Sequence, residues 1–302
     1  MNLYDAKTKP RGSLGRLEEL GMRIVEIRGH VPARLRAVVV VAAGDHGVVE
    51  EGVSAYPQEV TAQMVANFRA GGAAVNVLAR AADAEVVIAD RGVGTPTRNM
   101  TSGPALTAAE VERELAAGAD LLDGLGEVDV VALGEMGIGN STAAAALTAA
   151  VLGVEPERVC GRGTGIDDDG LARKVDAVRR ALAANAAADP LQAFGGYELA
   201  FLGGVARRCA ERGVVVLLDG YIASAAVLAA GVRDGLIAAH RSAEPGHALV
   251  LDALGLEPLL DLRLRLGEGS GAALALPLLH ASIAILNEMA TFGEAGVTDA
   301  GR

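Results

Sequence analysis

Aromatic residues make up 3% of this 302-residue chain and tryptophan is absent. That shortage excludes an aromatic-rich β-sandwich core and leaves little aromatic surface on which a ligand ring would stack. Cysteine is nearly absent too. Cys160 and Cys209 cannot staple a chain this long, so a reducing, cytoplasmic setting is the simplest expectation. The opening MNLYDAKTKPRGSLG has no apolar run, so no signal peptide is expected. Positive charge is in deficit, with 27 basic against 38 acidic residues, a net charge of −11 and no basic block. Phosphate-backbone binding needs the reverse, so no nucleic-acid partner is expected. Lysine occurs only at 7, 9 and 174, which sets Lys174 apart in an arginine-biased chain. No HExxH or paired histidine spacing occurs among the five histidines, and no phosphate-loop GxxxxGK[ST] or GxSxG elbow is present. Neither a metal nor a cofactor is expected. Two uncharged stretches, 137–154 and 269–287, are rich in small residues or carry Pro277 and His280, so both read as buried helices rather than membrane spans.

What the chain has is glycine, alanine and short aliphatic runs. Glycine numbers 39, alanine takes about a fifth of all positions, and 51% of residues are apolar, against a usual glycine share of about 7%. A core of Ala, Val and Leu packs through closely approaching backbones, which favours helices laid on a sheet.

Nearly all-apolar runs at 37–42, 85–89, 128–133, 214–218 and 247–251 read as strands buried on both faces. Helical stretches between them, at 61–82, 106–122 and 168–187, supply crossovers. The expected fold is therefore α/β, a doubly wound, mostly parallel, Rossmann-like sheet over 31–254. A smaller helical part formed by the two chain ends, 1–30 and 255–302, packs beside it. Ligands in such sheets bind beyond the carboxyl ends of the strands. Four of the proposed strands end in glycine-bearing polar loops, at 43–47, 134–140, 219–221 and 252–255.

Three constellations carry chemistry. GEMGIGNST (134–142) joins a strand to an Ala-rich helix, so its backbone can meet a ligand closely and Asn140 or Ser141 can cap the helix. Glu135 is unusual there, because a carboxylate repels phosphate unless it faces another part of the ligand. CGRGTGIDDDGLARK (160–174) sets three glycines before an acid-capped helix and places Lys174 in its early turns, a residue type suited to phosphate. LGEGSG (266–271) surrounds Glu268 with bare backbone and offers Ser270 as a cap; a carboxylate so placed suits a general base.

These loops, with KPRGSLGRLEEL (9–20), AGDHGVVEEGVSAYPQEVTAQMV (43–65), LDGYIASAAVLAA (218–230) and HRSAEPGH (240–247), resemble the nicotinate-nucleotide:dimethylbenzimidazole phosphoribosyltransferase family. The likeness runs from Lys9 to about Gly296. It implies transfer of the 5-phosphoribosyl group from nicotinate mononucleotide to 5,6-dimethylbenzimidazole, with inversion at the anomeric carbon. The products are α-ribazole 5′-phosphate and nicotinate, and the step belongs to cobalamin nucleotide-loop assembly. A homodimer acting on these small molecules, with no membrane partner, is implied as well. The resemblance makes Glu268 the catalytic base and Glu135 a second catalytic carboxylate. Gly137, Gly139, Asn140, Gly163, Lys174, Asp219 and Ser242 are the candidates for phosphate and nucleotide. Tyr56, Gln63, Met64, Met136, Ile138 and Leu266 are those for the base. Two departures are the short segment ahead of Lys9 and Arg11 where a second proline is commoner; they touch the helical part and the dimer contact, not the chemistry.

For Glu268 two influences oppose each other: a helix N-terminus favours the ionised form and burial the protonated one; only the ionised form can act as base, so the dipole is expected to matter. Two alternatives stay open at this point: a non-catalytic nucleotide- or base-binding module on the same fold, and a transferase with another acceptor ring.

Overall fold

The computed structural model describes residues 2–299. In chain order the elements are α1 (Arg16–Arg28), β1 (Ala37–Ala43), α2 (Glu59–Ala70), α3 (Ala74–Ala81), β2 (Glu85–Asp90), α4 (Ala108–Gly124) and β3 (Val130–Met136). There follow α5 (Asn140–Leu152), α6 (Asp168–Ala184), α7 (Pro190–Phe194), α8 (Tyr197–Arg212), β4 (Val215–Leu218) and α9 (Tyr221–Ala229). The last are β5 (Leu236–Ala238), α10 (Pro245–Leu254), α11 (Ser270–Glu288) and α12 (Phe292–Ala295).

The five strands form one sheet in the order β2-β1-β3-β4-β5, every neighbouring pair parallel. This order reverses direction between β1 and β3, the switch point at which doubly wound sheets bind ligands. Successive strand residues face opposite sides. Val38, Val40, Val131, Leu133 and Val216 meet the cluster containing Ala143, Leu199, Phe201 and Ala226. Val39, Val41, Val130, Ala132 and Val215 meet Tyr4, Ile24, Ala79, Leu276 and Ile283. The second face is thus covered by both chain ends, tied further by Tyr4 Oη donating to the Ser282 carbonyl at 2.7 Å. α11 is long and apolar enough to cross a bilayer (mean hydropathy 1.5); here its Ala272, Ala275, Leu276 and Leu279 are buried in that face.

The glycine and alanine content lets helices approach closely. A Cβ on Gly204 in α8 would sit 2.7 Å from the Leu115 carbonyl carbon of α4, and one on Gly118 of α4 would sit 2.7 Å from the Val205 nitrogen of α8. The two helices therefore touch backbone to backbone.

Three sequence expectations are corrected. The run 247–251 is not a strand but part of α10, which starts at Pro245 after Glu244. A short apolar run reads alike in a buried strand and a buried helix, and Pro at the first helical position decides for the helix. The fifth strand is instead the three-residue Leu236–Ala238, so 252–255 closes a helix and the loop that reaches the site is the one following Ala238. The stretch 61–82 is two helices, because Gly71 takes a left-handed φ of 76° and its N–H closes on Asn67 and Phe68. Finally, Asn140, Ser141 and Ser270 do not cap their helices; Gly139 and Gly269, at φ 94° and 84°, occupy those positions.

Candidate functional site

β3 ends in Gly134-Glu135-Met136 alongside Val41-Ala42-Ala43 of β1, and β4 ends one residue before Asp219. Beyond these strand ends lies a cavity of about 520 Å³, within the usual range for small-molecule sites. Its wall includes Glu135, Met136, Gly137, Ile138 and Asn140 from the β3–α5 loop, Tyr56, Val60 and Met64 from around α2, and Gly163 and Thr164. Gly220, Tyr221, His240, Ser242, Glu244, Arg265, Leu266 and Glu268 complete it. Eleven of the fifteen candidates named above therefore line one cavity: Glu268, Glu135, Gly137, Asn140, Gly163, Ser242, Tyr56, Met64, Met136, Ile138 and Leu266. Tyr56 and Leu266 are its most solvent-exposed large apolar residues, at 53% and 57%.

Four candidates lie elsewhere. Gln63 points to solvent from α2. Gly139 sits behind the loop, where a Cβ would press on Val49 at 2.8 Å. Asp219 is 1% exposed and does not line the cavity. Lys174 is also 1% exposed. Its ammonium donates to Ser141 Oγ at 2.9 Å and to the Gly161 carbonyl at 3.0 Å, so it braces the loops from behind. Burial pushes its pKa down, against the pull of the Glu244 carboxylate. The cation that faces the cavity is Arg265, which donates to the Gly163 carbonyl at 3.1 Å. Residue rarity singles out Lys174, whereas Arg265 is hidden among the other arginines.

The carboxylates are unusual. Asn140 Nδ2 donates to Glu135 Oε2, which explains why Asn140 is not a cap. Burial, and then the charges of Asp219, Glu198 and Glu268, push the Glu135 carboxyl up to about 8, with Asn140 opposing. Glu268 is pushed up to about 7 by burial and then by Asp219. Burial is thus the first influence on Glu268. Its φ is 65°, a left-handed conformation rare outside glycine. Both carboxylates line the cavity, and Glu135 reaches the loop that carries Glu268: a side chain at Gly267 would collide with Glu135 Oε1.

Histidines support the loops. His46 Nε2 pairs with Glu198 Oε1 at 2.7 Å beneath Gly137 and Gly139. The Ser242 N–H donates to His247 Nδ1 at 2.8 Å, so the ring proton lies on Nε2, which contacts Ser224 Oγ at 3.2 Å. Burial presses the His247 pKa down to about 3, leaving the ring neutral at every physiological pH. Among the described residues no group of three or more His, Cys, Asp or Glu side chains is placed to hold a metal ion.

A parallel α/β sheet whose strand-end loops bring anion-compatible backbone, an arginine and two protonatable carboxylates to one apolar-walled cavity defines a group-transfer site for a phosphorylated substrate. A family model described as Phosphoribosyltransferase matches residues 2–297, and the chain belongs to that family. It is 52% identical to the nicotinate-nucleotide–dimethylbenzimidazole phosphoribosyltransferase of Mycobacterium avium, over 98% of this chain and 93% of that one. The enzyme of the same name from Thermus thermophilus is 50% identical, over 97% and 96%. The crystal structure of CobT from Thermus thermophilus superposes with a TM-score of 0.92 at 50% identity, covering 99% of this chain and 97% of that one.

Proposed function

We propose that this enzyme transfers the 5-phosphoribosyl group of nicotinate mononucleotide to 5,6-dimethylbenzimidazole, giving α-ribazole 5′-phosphate and nicotinate in cobalamin nucleotide-loop assembly. The observation that carries the reading is the meeting of Glu135 and Glu268 in one cavity with the Met136, Ile138 and Leu266 wall. Nicotinate bound to ribose is already a cationic pyridinium, so its nitrogen leaves with the glycosidic electron pair and needs no proton. One benzimidazole nitrogen forms the new bond to the anomeric carbon. The ring thereby gains imidazolium character, and the N–H of its other nitrogen passes its proton to Glu268. A base is most useful with a pKa near working pH, which is where burial puts Glu268. Glu135 faces the ribose; the incoming cation favours its ionised form, and that charge then stabilises the positive charge developing at the anomeric carbon.

The phosphate is held by the Gly137 and Gly163 backbones, Ser242 and Arg265. Lys174 acts one layer behind, through Ser141 and Gly161. Tyr56, Met64, Met136, Ile138 and Leu266 form the apolar wall for the benzimidazole. The family likeness also supports a cytoplasmic homodimer, and 31–254 as the α/β part with 1–30 and 255–302 as the smaller helical part. The test is direct. Purified protein mixed with nicotinate mononucleotide and dimethylbenzimidazole yields α-ribazole 5′-phosphate by liquid chromatography; no product above blank at any pH from mildly acidic to mildly alkaline overturns the reading.

A further inference from the structure

Asp219 follows β4, is buried, and is not among the residues that line the cavity. Its Oδ2 accepts the N–H of Gly269 at 3.2 Å and its Oδ1 accepts the N–H of Ala272 at 2.9 Å. These are open amides at the N-terminus of α11. Ser270, the residue the sequence offers as a cap, instead donates its Oγ to the Gly267 carbonyl at 2.7 Å. A side chain from the neighbouring strand end thus caps the helix that follows Glu268.

The turn it holds is strained. Gly267, Glu268 and Gly269 take φ values of 80°, 65° and 84° in succession. Glycine tolerates this, but glutamate in the left-handed region persists only where surroundings impose it. Two clamps impose it here. On one side the β3 backbone presses close: a Cβ on Gly134 would lie 2.5 Å from the Glu268 carbonyl oxygen. On the other side stands Asp219.

We infer that Asp219 is a positioning residue for the reaction, docking the first turn of α11 so that Glu268 faces the cavity, and setting its carboxylate against the turn that carries Glu268. The inference rests on the reading of Glu268 as the base. Both Asp219 oxygens accept amide protons at the positive end of a helix, an arrangement suited to a carboxylate. His240, whose Nε2 lies 3.6 Å from Asp219 Oδ1 and whose ring packs on Gly271, adds a further partner. Burial raises the Asp219 carboxyl, while His240 and the amides of Ala272, Gly269 and Gly271 pull it back. The charge acts on Glu268, whose carboxyl is raised by burial and then by Asp219. The remaining ionisable groups around the cavity are Glu135 from β3, His240 after β5, Glu244 ahead of α10, Arg265 on the same loop as Glu268, and the phenols of Tyr56 and Tyr221, with Glu198 of α8 acting on Glu135.

The experiment is the pH profile of kcat/KM for the full-length wild type, Asp219→Asn and Glu268→Gln, with thermal melts of each. Asp219→Asn keeps the shape and one acceptor but loses the charge. The expected result is an acid limb displaced by about one pH unit toward lower pH, a kcat lowered about tenfold, and KM values within about twofold of wild type. A merely structural role would lower activity without moving the limb. An Asp219→Asn limb at the wild-type midpoint overturns the inference, while full turnover by Glu268→Gln overturns the base assignment instead. Should Asp219→Asn fail to fold, Asp219→Ser, which keeps a hydroxyl acceptor for the helix amides and also removes the charge, is read in the same profile. An Asp219→Ser limb at the wild-type midpoint contradicts the inference; a limb displaced to lower pH supports it.

Discussion

The protonation state of Glu268 makes the rate of the wild-type enzyme a function of pH that can be worked out in advance. Burial and then the Asp219 charge hold the carboxyl at about 7. A base works only when deprotonated, so activity is lost as pH falls through that value. About a tenth of the groups are ionised at about pH 6, half at about pH 7 and about nine-tenths at about pH 8. The expected rise in kcat/KM from about pH 6 to about pH 8 is therefore about tenfold, with a plateau above. The assay is the initial rate of α-ribazole 5′-phosphate formation with both substrates far below their KM, because that regime reports the free enzyme. Protonation of dimethylbenzimidazole itself is measured separately and divided out. A carboxylate governed by the helix N-terminus would titrate near the ordinary glutamate value, and the rate would be flat over the same range. A flat profile therefore refutes the view that desolvation sets the base.

Arg265 and Lys174 separate binding from bracing. Arg265→Ala raises the KM for nicotinate mononucleotide about tenfold or more and leaves the melting temperature unchanged, because an exposed charge-assisted contact is lost. Lys174→Ala opens a void and strips the Gly161 carbonyl of its donor, so thermal or urea unfolding reads a loss of about 2–4 kcal/mol. The contact between α4 and α8 tests the packing. Gly204→Val forces the Leu115 backbone away and lowers stability in urea by about 3 kcal/mol or more. Gly124→Ala, with open space around the new methyl, stays within about 0.5 kcal/mol of wild type.

What is legible in the sequence follows from strong, local signals. Three strands are visible because runs such as Val38–Val41 are buried on both faces and so carry no polar alternation, and β2, though a half-buried edge strand, is visible because Val86–Ala89 is apolar throughout. The helices α4 and α6 are visible through their caps, Thr107 and Asp167. The fifth strand escapes because Leu236–Ala238 is only three residues long, while the apolar stretch of α10 offers a stronger pattern in the wrong place. At the site, glycine-flanked glutamates are legible because bare backbone on both sides is uncommon around a charge. The distinction between Lys174 and Arg265 is not, since it depends on which side of the Gly161–Gly163 loop each side chain approaches. Nor is the role of Asp219, whose partners lie 50 and 53 residues further along the chain. The tension over Glu268 is not resolved by sequence either, because a helix N-terminus is visible there, whereas the crowd of buried acids from separate elements is not.

The central claim is that Glu268 takes the proton released as the acceptor ring bonds to ribose. Glu268→Gln keeps the size of the side chain and removes only its basicity, so turnover measured at about pH 8 is expected to fall by about 100-fold or more, with binding of nicotinate mononucleotide by calorimetry retained. Turnover equal to wild type in that variant would contradict the account.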